Sequence, residues 1–125
     1  MKRKPEYEGN SRIIQVLELA DGSCPVGEFL DGLGPSDRRK LDVLFERLGD
    51  HGEIKNREKC KKLTGTEEIW EFKSHQVRIL WFYAPGKLVL LAHALNKKQD
   101  KHKKSDIEIA EDRRRWYLSQ QEGRR

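Results

Sequence analysis

Five basic residues, Lys62, Lys73, Arg78, Lys97 and Lys98, stand on or beside stretches that read as consecutive strands, so folding can gather what the sequence separates. For the lysines a solvated sheet face is as good an explanation as a site. Arg78 carries more weight. In "VRILWFY" it reads as mid-strand between Val77 and Ile79, where an arginine must pair with a carboxylate such as Glu71 or face an anion. Convergent cations suit phosphate, and two or three of them around a scissile phosphodiester stabilise the charge of its transition state.

The titratable candidates are His75, His93, Tyr83, Glu71 and Glu68. His93 lies in "LLAHALNKK", two residues after Leu91 and two before Leu95, so strict alternation sets it on one face with both leucines. A histidine there is more often packed core than a reactive group. His75 reads as a turn residue. The run "KKQDKHKK", which includes Lys101, reads as a solvated loop that extends the cationic field of a neighbouring sheet. No nucleophile elbow, P-loop or paired-carboxylate site is written in the chain. Cys24 and Cys60 stand alone, outside any CxxC or Cys/His spacing, so reduced thiols are expected, with no metal and no cofactor.

Positioning these groups takes a sheet. "RIIQVLEL" (12–19) reads as a strand ending at the turn "ADGS". Pro25 opens a helix with Val26, Phe29, Leu30 and Leu33 at one spacing, ended by Gly34. A second helix from Pro35 or Ser36 repeats the spacing with Leu41, Leu44, Phe45 and Leu48 before Gly49. After a basic stretch that reads as a loop or a strand's approach come three strands: Ile69 to Lys73, Val77 to Tyr83, and Leu88 to Asn96. "APGK" between the last two has Pro and Gly where a type II turn wants them. "SDIE" offers Ser105 as a helix cap with Glu108 reciprocating, and a final helix runs through Ile107, Ala110, Arg114 and Tyr117.

The order strand-helix-helix-three strands-helix indicates an α+β single domain with a mainly antiparallel sheet. One face packs on the helical hairpin and the other carries polar side chains. Residues 1–10 are expected to be a flexible tail, 11–121 the domain and 122–125 a second tail. With 125 residues, 35% apolar and 38% charged, and a net charge of +5, a modest core sits under a charged surface that suits a polyanionic partner. The longest apolar runs fall short of the ~20 residues needed to span a bilayer, and "MKRKPEYEGN" leads into no signal-like apolar stretch. A cytoplasmic protein without a membrane partner is expected.

"KKLTGTEEIWEFK", "VRILWFY", "LVLLAHALNKKQDK" and "DIEIAEDRRRWYL" follow one another in an order that resembles the RelE/HigB-like toxins of type II toxin–antitoxin systems, in particular their phage-derived branch. The residues carrying the likeness are Trp70, Glu71 and Lys73; Arg78; Leu91, His93, Lys97 and Lys98; and Asp106, Ile107, Ala110, Arg113 and Tyr117. Two departures stand out. Lys73 replaces a usual arginine and loses its bidentate fork, and "QDKHKKS" replaces a Thr- and Pro-rich entry to the last helix.

The resemblance implies a RelE-like fold and a metal-independent, ribosome-dependent mRNA endoribonuclease that inhibits translation. Arg78, Lys73, Lys97 and His93 would be catalytic, and Lys62, Lys98 and Lys101 would bind RNA. A cognate antitoxin, often a helix-turn-helix protein, and mRNA on the ribosome would be the partners. The alternative is a noncatalytic module of the same fold, either a gyrase-directed toxin or a decayed toxin that only binds an antitoxin. Direct DNA binding through "SDRRKLDVLFERL" is disfavoured, because its apolar stripe is needed for core packing.

Overall fold

The computed structural model describes residues 3–97 and 104–122. The chain folds as strand β1 (Tyr7–Glu8), β2 (Ile13–Val16), helices α1 (Pro25–Asp31) and α2 (Pro35–His51), β3 (Cys60–Lys62), β4 (Trp70–Ser74), β5 (Val77–Ala84), β6 (Leu88–Asn96) and α3 (Lys104–Glu122). The strands form one sheet in the order β1-β2-β6-β5-β4-β3. β2 and β6 run parallel and every other pair is antiparallel. The α+β class expected from the sequence is the observed one.

Helix α1 buries Val26 and Leu30, and α2 buries Leu41, Leu44, Phe45 and Leu48, the stripes read from the spacing. They cover the sheet face presented by Ile14, Phe72, Ile79, Trp81, Val89 and Leu91. Aromatic rings order that layer: Phe45 meets Phe72 edge-on at 5.5 Å, and Trp81 stacks between Phe72 (5.0 Å) and Trp70 (5.4 Å). Each such pair adds about 0.5–1.5 kcal/mol beyond the area it buries. Pro85 and Gly86 turn β5 into β6, with Gly86 at φ +82, as a type II turn requires.

Several expectations need correction. The face opposite the helical hairpin is not polar throughout. Leu80, Phe82, Ala84 and Leu90 form a second core on it beneath α3, because Ile107, Ala110, Trp116 and Tyr117 also need cover. Only the end near the β4–β5 turn is polar.

Residues 3–10 are packed, not loose. Tyr7–Glu8 pair with β2, and Arg3 bridges Glu6 and Asp31. Gly49 does not end α2, which continues to His51 and stops at Gly52 in the left-handed region (φ +79). Gly49 instead permits a crossing: a Cβ there would lie 2.6 Å from the Tyr7 ring, while its carbonyl accepts from the Ser11 and Arg12 N–H groups. Likewise α1 ends at Gly32, two residues earlier than Gly34. The basic stretch before Leu63 contains β3, and Ser105 lies inside the first turn of α3 rather than capping it.

Candidate functional site: a cationic cluster on the sheet

Cross-strand register sets two rows of side chains on the face shared with α3. Lys61, Glu71, Leu80 and His93 lie opposite one another on β3, β4, β5 and β6. One step nearer the β4–β5 turn, Lys73, Arg78 and Leu95 form the second row. Lys97 follows Leu95 by two positions, and its N–H donates to the Gln76 carbonyl at 2.7 Å. With ~4.8 Å between strands, the backbones of Glu71 and His93 stand roughly 10 Å apart, with buried Leu80 between them.

Arg78 is the second residue of β5 rather than mid-strand, and is only 8% exposed. Its Nη1 donates to the carbonyls of His75 and Val77, and its Nε lies 4.0 Å from Glu71 Oε2. The arginine thus has both a carboxylate and a backbone role. Glu71 is itself buried at 3% exposure, so each charge is compensated by the other. Lys61 and Lys73 stay exposed at the rim. Burial pushes the Lys97 amine below the usual lysine range. The charges of Arg78, Lys61 and Lys73 push the same way, and Glu71 opposes them. A lysine so shifted is a stronger acid than usual.

His93 does not share a face with Leu91. Leu80 pairs with His93 but Trp81 pairs with Leu91, so Ala92 is an extra residue in β6. This β-bulge breaks the alternation and turns His93 to the α3 side, while Leu91 stays under the helical hairpin. His93 Nε2 meets Asp106 Oδ1 at 2.9 Å. An ionised carboxylate only accepts, so Nε2 carries the proton of that bond and the ring orientation is held. The bulge is braced from α3 as well: Arg113 Nη1 donates to the Ala92 carbonyl at 2.7 Å.

Other candidates fall elsewhere. Lys62 pairs in register with Trp70, whose ring belongs to the helical-hairpin layer, and its Nζ bridges Glu68 at 2.9 Å. It therefore points away from Arg78, and Lys61 takes the place expected for it. Tyr83 also lies on the hairpin side, under the Arg12 guanidinium. His75 is a turn residue at φ +53, as expected. Lys98 and Lys101 lie outside the described residues.

Burial pushes the Cys60 thiol up to about 12, far from nucleophile range. No group of three or more His, Cys, Asp or Glu residues able to hold a metal occurs among the described residues, and none of their helices is long and apolar enough to cross a membrane.

Sequence reasoning missed Lys61, because nothing in "CKK" says which lysine faces which way. It also missed the bulge. The chemistry available is therefore a carboxylate and a histidine on either side of Leu80, beside a cluster of cations with lysines at its edge. A family model described as Phage derived protein Gp49-like (DUF891) matches residues 28–115, from α1 into α3. A search of curated proteins finds no match.

Proposed function

The chain belongs to the Gp49-like phage-derived family, a toxin-like group, and on that footing we propose that it is the toxin of a toxin–antitoxin pair that cuts mRNA without a metal. The observation that carries this reading is the convergence of Lys61, Lys73, Arg78 and Lys97 around Glu71, with His93 one strand beyond Leu80.

In this reading Glu71 takes the proton of the 2'-hydroxyl, whose oxygen attacks the adjacent phosphorus. The phosphorus–O5' bond breaks and the departing oxygen takes a proton from His93 or Lys97. Arg78, Lys73 and Lys97 hold the charge that builds on the phosphoryl oxygens, a role worth about 3–4 kcal/mol per well-placed donor. Products are a 2',3'-cyclic phosphate and a 5'-hydroxyl. Asp106 would orient His93 without touching RNA. Translating ribosomes would present the message, and the antitoxin would be a helix-turn-helix protein.

A message carrying a single 2'-deoxy sugar at the cut position tests this on translating ribosomes. The ribo message should be cut and the deoxy message should survive. Cleavage of the deoxy message would rule out attack by the 2'-oxygen. For binding, log affinity for single-stranded RNA should fall with log salt by about 0.7 per phosphate contact.

A second reading has its own support. The Arg78 guanidinium is engaged by the His75 and Val77 carbonyls and lies near Glu71, so the centre of the cluster has a structural use without any substrate. A protein that cuts no message yet binds its antitoxin would be the noncatalytic module, with the lysine rim as its docking surface.

A further inference from the structure

On the helical-hairpin side, two adjoining depressions of about 380 and 300 Å³ run along α2. They share Arg47 and Asn56, so they form one trough between α2 and the chain leading to β3, and it ends at the His75 turn. Lys40, Val43, Leu44, Arg47 and His51 recur at helical spacing along one side of α2, which accounts for one wall. Ile54, half-buried against the hairpin core, anchors the other.

The trough is strongly unbalanced in charge. Lys40, Arg47, Lys55 and Lys59 line it against one acid, Glu53. None of these four cations has a carboxylate partner among the described residues, and the Lys40 ammonium instead contacts His75 Nε2 at 2.5 Å. Between them Val43 is 39% exposed, the one exposed large apolar side chain among the described residues. No Phe, Tyr or Trp side chain lines the trough, and its aromatic rings are the imidazoles of His51 at one end and His75 at the other.

We propose that this trough docks an acidic, amphipathic peptide segment of a protein partner. Carboxylates of the segment meet Lys40, Arg47, Lys55 and Lys59, and an aliphatic side chain covers Val43. Charge complementarity selects the acid, and the exposed valine selects a peptide over a phosphate backbone. The inference goes beyond the nuclease reading and stands without it, since the trough lies on the opposite side of the sheet from Glu71 and Arg78.

A randomised peptide library selected against the purified full chain tests the proposal. Selected peptides should combine Asp or Glu with Leu, Ile or Val, and should shift amide resonances of α2 and residues 53–59. Lys40→Glu with Lys59→Glu should weaken them by about a hundredfold, roughly tenfold per reversed charge, and Val43→Ser by less. Circular dichroism checks that these surface variants fold.

Failure to select acidic peptides, or equal binding to the double variant, would overturn the proposal. So would displacement of the peptide by a single-stranded RNA oligonucleotide, which would make the trough an RNA groove. A dimer in solution that the charge reversals dissolve would assign it instead to a second copy of the chain.

Discussion

His93 Nε2 stands 2.9 Å from Asp106 Oδ1, a bond between the last strand and the last helix that exists because Ala92 is an extra residue in β6. Without that bulge the histidine would point into the aromatic layer beneath α1 and α2. Arg113 holds the bulge open from α3 through the Ala92 carbonyl. Its replacement by Met should lower stability by about 1.5–3 kcal/mol, as for loss of a hydrogen bond from a charged donor. The His93 ring resonances should shift with it, and Arg113→Lys should restore part of both. Arg115→Ala, which removes an exposed bridge to Glu67, should cost under about 1 kcal/mol and leave His93 unmoved. An unchanged His93 environment in Arg113→Met would show that the bulge stands unaided.

Arg78→Ala is expected to destabilise the fold, although its strand position alone suggests a variant that folds normally. Buried Glu71 would lose the Arg78 guanidinium beside it, at a cost of about 3–5 kcal/mol in urea unfolding. The double variant Glu71→Gln, Arg78→Met should be more stable than Arg78→Ala. Wild-type stability in Arg78→Ala would mean that the pair contributes nothing. Loss of toxicity in Arg78→Ala is therefore informative only beside a measured stability.

Cys60 gives a pH test of the core. Burial raises its thiol from 9.0 to about 12, so the folded state holds the proton that the unfolded state loses first. Stability from this group is complete below pH 9 and falls as pH rises toward 12, by about 1.4 kcal/mol per unit. The difference in stability between wild type and Cys60→Ala should shrink across that window. A constant difference would contradict a buried, protonated thiol.

Much of this was legible in the residues. The apolar spacings of α1 and α2, the Pro-Gly turn between β5 and β6, and the need of Arg78 for a carboxylate or an anion all follow from local rules, and Glu71 was the carboxylate indicated. What escaped was non-local. Alternation assumes an unbroken ladder, so one bulge moved His93 to the other face. Lys61 and Lys62 differ only by register on a three-residue strand, and that register is set by Trp70 and Glu71 across the gap. β1 is polar and two residues long, and it is held by the close approach of Gly9 to Gly49, which no periodicity encodes.

The most direct test of the central claim is the single-turnover rate of message cleavage on translating ribosomes, wild type against His93→Gln. The account predicts cleavage by wild type that leaves a 2',3'-cyclic phosphate, slowed by about a hundredfold or more in the variant, as loss of a positioned proton donor requires. Equal rates would remove His93 from the chemistry. No cleavage by a folded wild-type protein that still binds its antitoxin would contradict the nuclease reading and leave the cationic cluster around Glu71 and Arg78 as a docking surface.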